Sequence, residues 1–200
     1  MSWAMSDRAP FPASMRVADA RDAYLRENGF TFEEYAAPRT KAFFLGLTFS
    51  VPNTKDHQRG IMLHDLHHVA TGFGTDLSGE GEVSVFETRA GLQGIGLYVS
   101  SLVLLGVVTG MLVAPLRTLR AFRRSWRCRA LWNEPASYDE LVRGTVGELR
   151  ARIGLPPDGI AHRPRALHSK APVVARAPIS APKARSPTSA ASPAAGRAAA

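Results

Sequence analysis

The pattern of hydrophobic and polar positions divides the chain into a polar first third, an apolar middle and a basic tail. Between Ser14 and Asn28, Val17, Ala20, Tyr24 and Leu25 recur at helical spacing; Ser14 can cap that helix and Asn28-Gly29 supplies its stop. Thr31 and Glu34 have the spacing of a capping box, which predicts one further turn before Pro38 breaks the pattern. From Lys41 to Val51 the run is aromatic and β-branched about a central Gly, and predicts a short β-hairpin or extended wall. After Pro52, Asn53 or Thr54 can cap a helix reaching about Thr71, where Gly72 and Gly74 end it.

From Ala90 to Leu116 no residue is charged, and the run exceeds the ~20 apolar residues that cross a hydrocarbon core. It is a transmembrane candidate, although glycines 91, 94, 96, 106 and 110 soften it, and a buried core helix or one lining a lipid cavity has the same pattern. Gly106 and Gly110 are spaced to let helices approach closely. Beyond them, Leu119, Phe122 and Trp126 share one face of an arginine-rich helix, as in segments whose apolar side enters a headgroup layer. Tyr138 to Ile153 predicts a last helix, ended by Leu155-Pro156-Pro157. The Ala/Pro/Ser/Arg stretch that follows has too few large apolar residues to offset its ordering entropy, and is expected to be disordered.

The expected fold class is mainly α: a helical bundle with a metal site between two helices, a long apolar helical segment, a short hairpin near 41–51 and a disordered tail. Residues 1–158 form the domain, with 90–116 contacting membrane or lipid, and 159–200 form the tail. At 200 residues there is room for one core and one site. The lone Cys128 closes no intramolecular disulfide, and residues 1–12 lack the continuous apolar stretch of a secretory signal.

The net charge of +8 is concentrated in two blocks, arginines 117 to 129 and the tail. A basic block beside an apolar run points to an anionic lipid surface. Nucleic acid is not expected, because no reading motif or set of interleaved base-stacking aromatics accompanies the charge.

The chemistry centres on His64-Asp65-Leu66-His67-His68. On a helix, His64 and His68 lie one turn apart on the same face and can present two imidazoles to one ion. Asp65, about 100° around the helix, can complete the coordination or orient a ligand imidazole. The chain then turns through Thr75-Asp76-Leu77-Ser78, and Glu80 arrives at the start of the next helix, from which an antiparallel pair of helices would return it to the histidines. Two His with one or two carboxylates suit zinc, iron(II), manganese or cobalt and leave positions open for substrate or water. His64, Asp65, His68 and Glu80 are thus the candidate metal ligands and catalytic residues. His67 points elsewhere as a hydrogen-bonded neighbour, and Glu82 and Glu87 are alternatives to Glu80.

This stretch resembles the coenzyme Q biosynthesis protein 4 family, whose signature is His-Asp-x-x-His, eleven residues, then Glu; here His68 and Glu80 are separated by eleven residues. Val69-Ala70-Thr71-Gly72 and Gly79-Glu80 are also similar to the family, and the resemblance covers about Asn53 to Gly91. It implies an all-helical protein that binds a divalent metal and a prenyl-tailed lipid in ubiquinone assembly. His64, Asp65, His68 and Glu80 would form its metal site. The implied reaction is oxidative decarboxylation, in which hydroxyl replaces the ring carboxyl of the prenylated head-group precursor. The alternative is a non-enzymatic, metal-stabilised scaffold that binds the polyprenylated intermediate. Implied partners are a polyprenylated quinone precursor or other isoprenoid lipid, an anionic membrane surface, other quinone-biosynthetic proteins and a second copy of the chain. The uncharged middle and the arginine helix depart from the family pattern.

A di-iron desaturase would need about eight histidines where this chain has six, and a His-Asp phosphohydrolase needs an upstream His on another helix, whereas His57 precedes His64 on the same one. The expected location is the cytoplasmic side of a membrane. There Ala90 to Leu116 would bend near Gly106 to Gly110, with both its ends facing the cytoplasm.

Overall fold

The computed structural model describes residues 10–44 and 47–161, without the side chains of 41–49. The expectations for residues 1–9 and for the tail from 162 onward, His162 and His168 included, fall outside the described residues. Within them the chain is mainly helical, with one two-stranded hairpin.

Helix α1 (Val17–Asn28) stops at Gly29, whose φ of 71° suits a residue without Cβ, and α2 (Phe32–Ala36) opens on the Thr31/Glu34 capping box. Strands β1 (Arg39–Phe44) and β2 (Leu47–Pro52) pair antiparallel, Arg39 opposite Pro52 and Phe44 opposite Leu47. Helix α3 (Lys55–Thr71) is capped by Thr54, which accepts from the His57 amide, and closes at Gly72. It forms the centre of the molecule, in contact with α1, α2, the hairpin-following helices α4 (Leu77–Ala90) and α5 (Gly96–Val113), and α8 (Val146–Arg152). Leu66, Val69, Val83, Phe86, Leu131, Leu149 and Ile153 fill the core around it.

Four boundaries differ from expectation. Ser14 does not cap α1, because it lies in a turn, the Met15 amide donating to Pro12 (3.0 Å), and the extended Arg16 bridges to Thr145 before the helix begins: the Val17 amide donates to Gly144 (2.9 Å), and the Val146 and Gly147 amides donate to Met15 and Ala13 (both 2.8 Å). The same pairing divides the helix expected over Tyr138 to Ile153. Gly144 is extended, so α7 (Tyr138–Arg143) ends there, and Thr145 starts α8 with its own capping box to Glu148.

The uncharged run 90–116 is likewise not one element. Ala90 closes α4, a turn with positive φ at Gly91, Gly94 and Gly96 reverses the chain, and Pro115 opens α6 (Pro115–Arg124). Helix α5 passes unbroken through Gly106 and Gly110, where a bend was expected, and the reversal falls at Ala114. These glycines serve packing instead: a Cβ on Gly110 would lie 2.6 Å from the Gly81 Cα, so α4 and α5 touch backbone to backbone. Among the described residues, α5 is the one helix long and apolar enough to cross a membrane, and 22% of it is buried.

The described fold runs past the expected boundary after residue 158. The Ile160 and Ala161 amides donate to the Thr71 carbonyl at 2.9 and 3.0 Å, and the Arg124 guanidinium donates to Ile160 O at 2.8 Å. Ile160 is buried.

Candidate metal centre

The centre lies between α3 and α4, which run antiparallel across a short turn. Asp76 caps α4 by accepting from the Gly79 amide, and a Cβ on Gly79 would collide with the Gly74 carbonyl. The turn therefore folds flat onto the start of α4 and sets Glu80, in its first turn, against His64 and His68.

The candidate ligand atoms of His64, His68 and Glu80 all lie within 4.8 Å of one another. The two Nε2 atoms are 3.2 Å apart, and Glu80 places Oε2 3.3 Å from His64 Nε2 and Oε1 3.4 Å from His68 Nε2. The rest of each imidazole is already committed. His68 Nδ1 is 3.2 Å from the Phe73 carbonyl, and His64 Nδ1 is 2.8 Å from Glu87 Oε1. A carbonyl and an ionised carboxylate only accept, so these partners assign the proton of each ring to Nδ1.

His67 supports the same assignment for Glu87. The Leu131 amide donates to His67 Nε2 at 2.8 Å, which leaves His67 Nδ1–H to donate to Glu87 Oε1 at 2.7 Å. Burial pushes the Glu87 carboxyl up, but His64 and His67 outweigh it and hold it down to about 2. Both candidate ligand rings thus turn a lone pair toward a carboxylate that also only accepts. Three acceptors at this spacing repel unless a metal ion lies among them or His64 Nε2 takes up a proton and donates it.

The centre is closed on one side and open on the other. His67, His68 and Glu87 have fully buried side chains, whereas those of His64 and Glu80 are 25% and 37% exposed. In the metal-free protein burial opposes charge on His64, but Glu87 and Glu80 prevail and raise its proton affinity well above the ordinary value. Glu80 is held low despite burial, by His68 and His64.

Comparison with family models, curated proteins and solved structures finds no match to this chain. The donor set must be judged on its own chemistry. Two imidazole nitrogens and one carboxylate on an open edge fit a divalent ion bound by three protein ligands with a further position free. A His64 ring held by Glu87 and a His68 ring held by a carbonyl are the outer partners such ligands ordinarily have.

Asp65 is not brought into this group. It turns into the core, where Tyr24 donates to Oδ1 at 3.2 Å and Tyr35 donates to Oδ2. Tyr24 in turn stacks on His68, ring centroids 5.5 Å apart, so Asp65 acts on the centre through a tyrosine that packs against a ligand. Glu82, one alternative to Glu80, faces away and receives Arg117 at 2.5 Å. His57 is buried with its ring edge on Tyr98 and is not part of the group.

Glu87 is the residue whose role the sequence conceals. It lies seven positions after Glu80 and so on the same helical face, a spacing that marks it as reaching α3 but not as binding the far nitrogen of His64. Tyr24 and Tyr35 come from other helices, and no local spacing signals their meeting at Asp65.

Proposed function

We propose that this chain is a metal-dependent protein of ubiquinone biosynthesis acting on a prenylated aromatic head-group precursor at the cytoplasmic side of a membrane. The observation that carries this reading is the trio of acceptors from His64, His68 and Glu80, set in a His-Asp-x-x-His-x11-Glu spacing and open on one edge. The reaction proposed is oxidative decarboxylation of the ring carbon that bears the carboxylate. Its ring–carboxyl bond breaks, carbon dioxide leaves, and hydroxyl takes its place; the two electrons released require dioxygen or another two-electron acceptor.

A divalent ion bound here would supply positive charge to hold the substrate carboxylate at the open position. The chain's own part is to keep both imidazoles in one tautomer through Glu87 and the Phe73 carbonyl, and to keep water from the buried side. Membrane association is supported by the length and hydropathy of α5.

A second reading, a metal-stabilised lipid-binding scaffold for other quinone-biosynthetic proteins, is favoured by one observation. Glu87 and His67 tie the centre to the turn at Leu131–Asn133, so a bound ion would fasten three parts of the fold. Purified protein loaded with zinc, iron(II), manganese or cobalt and given a prenylated hydroxybenzoate with dioxygen separates the two. Carbon dioxide release with ring hydroxylation is expected of the enzyme. Lipid and metal binding without turnover would make the chain a scaffold.

A further inference from the structure

The outer face of α5 and the helix that follows it make one continuous surface that the centre does not use. Along α5, Leu97, Leu104, Val108 and Leu112 point outward at helical spacing, Leu97 being 91% and Leu112 65% exposed. The stripe is interrupted by Ser101, whose hydroxyl is satisfied by the Tyr98 carbonyl. It continues on α6 through Leu116 (69% exposed) and Leu119 to Trp126 (62%). Beside it on α6 and just beyond, Arg120, Arg123, Arg124 and Arg127 are exposed, and from Thr88 to Asn133 the sequence has no acidic residue. An apolar stripe edged by cations and free of acids matches the interface of an anionic bilayer.

Length and hydropathy alone would allow α5 to cross that bilayer, and the packing argues otherwise. Arg117 donates to Glu82 at 2.5 Å near the start of α4, and Arg89 near its end donates to the Trp126 carbonyl at 2.9 Å. Arg89 also lies over the Trp126 ring, 4.2 Å from its centroid. Both ends of the α6 segment are thus held to the two ends of α4, while α5 packs along the same helix through Gly81 and Gly110. A crossing α5 would carry α4 through the hydrocarbon with it, and α4 bears Glu80, Glu82 and Glu87, for which the bilayer centre is costly.

We infer that the α5–α6 hairpin lies in the plane of one leaflet of an anionic membrane, its leucine stripe in the acyl boundary and Arg120, Arg123, Arg124 and Arg127 among the headgroups. This rests on the membrane association proposed above and adds its geometry.

The test uses the full chain with Cys128→Ser, carrying single cysteines at Leu97, Leu104 or Leu112, labelled with a fluorophore and mixed with vesicles. The vesicles are phosphatidylcholine with or without phosphatidylglycerol, and contain lipids brominated at graded depths. The three labels should be quenched at one shallow depth, and binding should need the anionic lipid. Arg120→Glu with Arg123→Glu should weaken vesicle binding by about tenfold or more, with an unchanged far-ultraviolet spectrum. If those two changes unfold the chain, the wild-type dependence on phosphatidylglycerol reads the same charge requirement. Deep quenching at Leu104 with shallow quenching at Leu97 and Leu112 means a crossing helix and overturns the in-plane geometry alone. No vesicle binding, or labels shielded in a dimer, overturns the membrane association as well.

Discussion

Glu87 and the Phe73 carbonyl leave the two candidate ligand imidazoles no freedom of tautomer, and this makes the centre's metal affinity depend on a residue that touches no metal. Glu87→Gln keeps the volume and offers His64 an amide that can turn its donor side inward. Metal affinity measured by chelator competition should fall about 10–100-fold, and the metal-free protein should melt lower because the charge that pairs with His64 and His67 is gone. An affinity within twofold of wild type would show that Glu87 does not orient the ring.

Acidity acts on the same residues with opposite signs. His64 has a raised proton affinity in the metal-free protein, so its contribution to stability is complete below the ordinary histidine value of about 6.5 and is lost as pH rises through the folded value. Glu87 is depressed, so its contribution is present above about 4.3 and is lost as pH falls toward about 2. Metal must displace the His64 proton, and affinity should therefore climb with pH until pH passes the raised folded value. Calorimetry in buffers of different ionisation enthalpy should record proton release on metal binding at neutral pH, and its absence would contradict the assignment.

At the scale of elements, the contact of α4 with α5 through Gly81 and Gly110 leaves no space for side chains. A Cβ on Gly110 would also lie 2.8 Å from the Thr118 hydroxyl, so the strain would reach α6. Gly110→Val should destabilise the protein by about 2 kcal/mol or more in chemical denaturation, within the range of overpacked cores. Elements whose signals are local were legible in the sequence: the Gly29 and Gly72 stops, the Thr31 box, the hairpin and the Thr54 cap all lie within a few residues of what they control. Those set by distant partners were not. Ser14 is an ordinary capping residue until the 144–147 segment takes the backbone around it, and the same pairing turns one expected helix into α7 and α8. The His64, His68 and Glu80 cluster was legible because all three lie on two successive helices. The tyrosines on Asp65 come from α1 and α2, and only the fold brings them there.

Across the whole molecule, the end of the described fold is fastened to the end of the metal-bearing helix. Arg150, 1% exposed, donates to the Ala70 carbonyl at 2.8 Å, and Ile160 and Ala161 bind the Thr71 carbonyl next to it. Truncation after Ala161 should leave the melting temperature unchanged. Truncation after Pro157 should cost about 2 kcal/mol, the burial of one large aliphatic side chain. Equal melting of both truncated forms would show that this strap contributes nothing.

The close approach of Gly79 to the Gly74 carbonyl makes the turn after α3 a ruler. It sets how far along α4 the chain travels before it faces His68, so the interval of eleven residues between His68 and Glu80 is a mechanical length as much as a pattern of letters. One residue inserted between Gly74 and Thr75 would leave every ligand in the sequence and break the seat of Gly79 on the Gly74 carbonyl that sets Glu80 against the histidines. Such a chain would keep the motif's residues and lose its metal.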